Sequence, residues 1–182
     1  MKTRTAPTVA MDAEVRAAGS LTANAAPKTI YHFECVGPDG QIKWIEEVPN
    51  LVVNQGRVML LDRTFKVFAS VPWYVGLKRA GAFASADTLG SAAWTEVIDY
   101  TGNRKALIVA SAAGEGTADN SANKASFAIN GSAGVAGGFI TTGVSAGASA
   151  GELYGGSDFA STRVVQSGDT LNVTVTLLIY AA

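Results

Sequence analysis

The chain has 182 residues, the size of one ordinary domain. Its 14 basic and 15 acidic residues leave a net charge of -1, which argues against a protein that works mainly by gripping nucleic-acid phosphates or acidic membranes. One Cys and one His exclude a disulfide framework, a zinc cluster and any two-histidine metal site, and no cofactor is implied.

Residues 1 to 28 are Ala/Thr-rich and interrupted by Pro7 and Pro27, with large apolar side chains only at Val9, Met11, Val15 and Leu21. Residues 11–18 allow two helical turns, too few to hold alone in water. This stretch reads as an extended arm, disordered alone or ordered by a partner. The start Met1-Lys2-Thr3-Arg4 imitates the basic end of a signal peptide, but Asp12, Glu14 and Arg16 interrupt before an apolar segment forms. No run approaches the roughly 18 apolar residues of a membrane span. A soluble, unexported protein is expected.

A β-rich domain is expected over 29–182. Of its apolar residues many are alanine, 31 in the whole chain, and the larger ones lean towards Val and aromatics, a usage that favours strands. Thr29–Val36 and Gln41–Glu47 flank Gly37-Pro38-Asp39-Gly40 and predict a hairpin. A helix is predicted from Asn54 to Phe68, with Val58, Leu61, Phe65 and Phe68 on one face, Asn54 as N-cap and Pro72 as the stop. Arg57, Asp62, Arg63 and Lys66 fall mostly on the other side. Pro72–Lys78 reads as a strand and Ala80 to Thr95 as a long connection in which Asp87 caps a helical turn.

Short strands are predicted at 106–110, 124–130, 138–142 and 162–166, separated by small-residue loops, with 131–151 read as two loops around one strand. The clearest strand is the last, where Leu171, Val173, Val175, Leu177 and Ile179 alternate with polar residues. Leu178 and Tyr180 break its polar face, so a neighbouring element is expected to cover them. Many short strands, turn signals and one helix predict a β-sandwich or jelly-roll-like domain.

Reactive constellations are scarce. Alternation puts His32 and Glu34 on one face of the first strand and Tyr31, Phe33 and Cys35 on the other, which separates the imidazole from the thiol. Glu46 and Glu47 are adjacent and point apart, while Asp99, Glu115, Asp119, Asp158 and Asp169 sit in loop-like contexts, a poor basis for a paired-acid hydrolase. The segment 114–123 offers Glu115, Asp119, Asn120 and Asn123 to calcium but lacks the order of an EF-hand loop. No phosphate-binding glycine loop is present. Trp73, Tyr74, Trp94 and Tyr100 suit either an aromatic platform or the core, and Arg79, Arg104 and Lys105 suit a solvated sheet edge. The reading is of a protein with no catalytic, cofactor or metal site.

Three segments carry a resemblance: Gln41-Ile42-Lys43-Trp44-Ile45-Glu46-Glu47 with Asn50–Gly56 and Leu60-Leu61-Asp62; Trp73–Leu77 with Asp87-Thr88 and Trp94-Thr95-Glu96; and Ser167–Val175. Together they resemble small virion structural proteins of tailed bacteriophages over roughly Tyr31 to Ala182. The resemblance implies a capsid decoration, or cement, protein, made in the host cytoplasm and placed on the capsid exterior. It implies the major capsid protein and other copies of the chain as partners, in a homotrimer with residues 1–28 as a contact, and no nucleic acid or membrane. The rival reading is a tail-associated or receptor-binding virion protein contacting a host glycan, for which Tyr154 and Phe159 are essentially the only aromatics among the second-half loops.

Overall fold

The computed structural model describes residues 28–66, 70–90, 93–112 and 116–178. The described residues are mainly β, with two antiparallel sheets, one α-helix and a single 3-10 turn at Ser121–Asn123. Sheet A runs β2-β1-β11, where β1 is Lys28–Val36, β2 is Ile42–Pro49 and β11 is Thr170–Leu178. Two short strands extend it on the far side of β11: β7 (Thr117–Asp119) pairs its end and β8 (Ala125–Ala128) its start. Sheet B runs β3-β10-β9-β4-β5, formed by Leu51–Val52, Leu153–Val165, Ala133–Thr141, Tyr74–Ala80 and Thr95–Val97, with β6 (Lys105–Ala106) also on β4.

Sheet A follows the expected alternation. Tyr31, Phe33 and Cys35 are fully buried while His32 and Glu34 lie on the other face. Leu171, Val173 and Val175 repeat the pattern on β11, in register with Cys35, Phe33 and Tyr31. The predicted hairpin is present, closed by Gly40 N–H to Gly37 O at 2.9 Å and by Gln41 N–H to the Asp39 carboxylate at 3.0 Å. Gly40 has φ 79°, a conformation that suits glycine.

These side chains meet Val75, Leu77, Val135, Ile140 and Val165 of sheet B in the main core. Phe33 meets Phe159 edge to face at 4.7 Å between ring centroids. Across the open corner, Arg163 holds Glu46 at 2.8 Å, and the Trp44 indole N–H donates to Val164 O at 3.1 Å.

Sheet B departs from expectation. Residues 131–151 do hold one strand between two loops, but it runs over Ala133–Thr141 and not 138–142, and β10 is 13 residues long where only 162–166 was predicted. The reason is that around residues 137–141 and 153–157 this sheet is buried on both faces, so alternation disappears there. Ile140 faces sheet A, whereas neighbouring Phe139 belongs to a second cluster with Val53, Phe83, Trp94 and Leu153. Glycines admit rings against the backbone: a Cβ on Gly156 would overlap the Phe83 ring, and one on Gly138 would lie 2.8 Å from that of Phe33.

The helix α1 spans Asn54–Phe65, ending before the predicted Phe68, which lies outside the described residues, as does the Phe65 side chain. Lys66 is already extended, ahead of Pro72. Val53, not Asn54, is the N-cap, and Asn54 instead accepts from Arg57. The expected apolar face is also reversed, since Val58 and Leu61 are about 60 % exposed, at 58 % and 62 %, while Val53, Gly56 and Met59 are buried. Gly56 decides this: its Cα lies so close to Tyr154 O on β10 that no Cβ fits, and this brings the glycine face inward.

Asp87 is a turn residue and not a helix cap. Its carboxylate accepts from Ala84 N–H at 2.9 Å and its N–H donates to Ala84 O at 3.1 Å. The predicted strand at 106–110 is confined to β6, because beyond Ala106 the chain leaves β4.

Candidate interaction surface

The charged residues of the described chain are largely committed to one another. Arg104, predicted to edge the sheet in water, is 4 % exposed and makes a two-pronged pair with Glu96, Nε to Oε1 at 2.9 Å and Nη2 to Oε2 at 2.7 Å. Its remaining donors reach Gly143 O and Ala148 O, and its guanidinium lies 5.3 Å from the Phe139 ring. Lys78 is buried too, paired with Asp158 and donating to Gly81 O. Arg79 pairs with Asp99. Lys105 crosses the rings of Tyr100 and Phe127, and burial lowers its pKa.

Of the acids weighed for catalysis, Glu46, Asp99, Asp158 and Asp169 are each held by a different cation. Asp169 is buried, yet its carboxylate accepts from Lys43 Nζ at 2.7 Å and from Gln166 N–H at 2.9 Å. Burial pushes its pKa up, but those hydrogen bonds outweigh it and hold the group below the ordinary value. The Cys35 thiol faces the same carboxylate at 3.7 Å, and burial and the neighbouring charge raise its pKa to about 11. It stays a protonated thiol at neutral pH, and His32 lies on the opposite face of β1.

The segment weighed for calcium, 114–123, has structural work in its described part. Asn120 is 1 % exposed and fills the gap between β7 and β8: its side-chain oxygen accepts from Val175 N–H at 2.6 Å and its amide donates to Val173 O at 3.3 Å. Asp119 caps the following turn through Ser121 N–H at 2.8 Å, which lowers its pKa. Glu115 lies outside the described residues. Among the described residues, no group of three His, Cys, Asp or Glu is placed to hold a metal ion.

The aromatic candidates divide. Trp94 and Tyr100 are core residues, 8 % and 3 % exposed. Tyr154 and Phe159, expected in loops, are buried on β10. Trp73 is different: it packs edge to face on Tyr154 at 5.9 Å, lies under the Arg63 guanidinium at 5.3 Å, and lines an apolar groove of about 390 Å³.

That groove lies where β1 begins and β11 ends. Leu60 of α1, Leu107 and Val109 after β6, and Leu177 and Leu178 of β11 form its apolar lining with Trp73. Among the described residues, the charged lining groups are the cations Lys28 and Arg63. Such a surface has the chemistry to take apolar side chains. Leu178, where the alternation of β11 failed, was the sequence signal for it, and Tyr180 lies outside the described residues. No helix among the described residues is long and apolar enough to cross a membrane. Comparison with known protein families, curated proteins and solved structures finds no match.

Proposed function

We propose that the protein is a non-enzymatic virion structural protein of a tailed bacteriophage, a decoration or cement protein that binds the outer capsid shell and stabilises contacts between capsomers. The observation that supports this best is where the resembling segments fall. Residues 41–56 run through β2 and β3 into α1, residues 73–77 open β4, and residues 167–175 form the turn into β11. The shared wording belongs to the framework, and the titratable residues beside it are tied up in ion pairs.

A stiff sandwich suits the task. A protein that binds only the assembled shell shifts the assembly equilibrium towards it by mass action. Three arms on a homotrimer, each contacting the major capsid protein or a neighbouring copy, add avidity. The glycan-binding alternative needs exposed aromatics, and Tyr154 and Phe159 are buried.

Sedimentation with expanded empty shells tests the reading. Cement activity predicts saturable co-sedimentation and a higher shell melting temperature. Retention on host cells or glycans without shell binding overturns it.

A further inference from the structure

The groove beside β1 and β11 lies at the root of the N-terminal arm. We propose that in the free protein it seats this chain's own arm, residues 1–27, through Leu21, Val15 and Met11. The inference does not depend on a capsid role.

Attachment favours it first. Lys28, the opening residue of β1, is itself part of the groove lining, so the arm starts at the groove mouth. Leu21 lies seven positions before Lys28, a reach of roughly 23 Å when extended, enough to turn back at Pro27 and cross the groove. A tether this short holds the arm at an effective concentration on the order of millimolar, so weak apolar contacts suffice.

Chemistry matches as well. The lining offers Leu60, Trp73, Leu107, Val109, Leu177 and Leu178, and the arm offers the large apolar side chains Met11, Val15 and Leu21. Met11 and Val15 are four apart, on one face of the two helical turns the sequence allows. Asp12 and Glu14 lie between them, with Arg16 just beyond, and among the described residues the charged lining groups of the groove are the cations Lys28 and Arg63. An uncovered patch of this kind promotes association, and covering it keeps the free protein dispersed.

Disulfide trapping in the full chain tests the seat. Leu21→Cys with Val109→Cys should oxidise to an intrachain bond in most molecules, with a yield unchanged on hundred-fold dilution. Leu21→Cys with Ile42→Cys, an exposed position at the far end of sheet A, should give at least tenfold less; native Cys35 is fully buried and does not compete. Equal yields in the two pairs overturn the proposal. An interchain product that fades on dilution also overturns it, and assigns the groove to a second copy. As a second readout, Val15→Asp with Leu21→Asp should raise binding of an apolar dye several-fold without lowering the melting temperature; unchanged dye binding counts against the seat.

Discussion

Sheet A has one face on the core and one towards water, whereas sheet B is covered by sheet A on one side and by α1 and the connection after β4 on the other. In sheet A, large side chains fill space on every second residue. In sheet B, glycines make space for rings, and two cations are buried, Arg104 together with its carboxylate Glu96 and Lys78 against the exposed Asp158. The same chain thus builds one sheet by adding volume and the other by removing it. Substitutions should fail in opposite ways in the two sheets.

The largest effect is expected in sheet B at its buried ion pair. Glu96→Ala leaves the Arg104 guanidinium uncompensated among Phe139 and backbone carbonyls, and should cost about 3–5 kcal/mol by urea unfolding. Replacing both partners by apolar residues of similar volume should recover much of that loss.

Next comes the volume test. Gly156→Val drives a side chain into the Phe83 ring and should cost about 3 kcal/mol, as large a loss as Leu171→Ala causes in sheet A by leaving a cavity. Tolerance of Gly156→Val would break the contrast between the sheets. Asn120→Ala should follow at about 1–3 kcal/mol, because it strands Val175 N–H in the middle of β11.

A pH series sharpens the sheet A side. The folded-state pKa of Asp169 is below its ordinary value of 3.8, so its contribution is fully present above that pH and is lost as pH falls through the folded value. Lys43→Met removes a hydrogen bond that lowers the pKa, and should shrink the stability lost below pH 4 while leaving less stability at pH 7. The smallest effect is expected on the outer face of β11, where Thr174→Val should change stability by no more than about 0.5 kcal/mol.

Legibility in the sequence follows the same division. The hairpin, the faces of β1 and the alternation of β11 were readable because water on one side imposes a period of two. The long strands β9 and β10 were not, since their stretches 137–141 and 153–157 are buried on both faces and lose that period, and Gly137, Gly138, Gly155 and Gly156 carry the composition of loops. The face of α1 was misread because its contact is made by Gly56, which no count of apolar residues includes. Arg104 was equally hidden: nothing in its neighbourhood announces Glu96 as a buried partner eight residues earlier. The groove was half visible, through Trp73 and Leu178, but its other walls come from residues far apart in the chain.

One pairing governs when the fold can form. In sheet A, β11 lies between β1 on one side and β7 and β8 on the other, yet it is the last of all the elements in chain order. The hairpin of β1 and β2 presents its inner edge early and must wait with that edge unpaired until β11 arrives. Closing so long a loop is slow, and the exposed edge is a template for pairing with another chain in the interval. A delay before β11 is made should therefore yield dimers and aggregates joined through β1, a failure of timing in a chain whose finished sheet is sound.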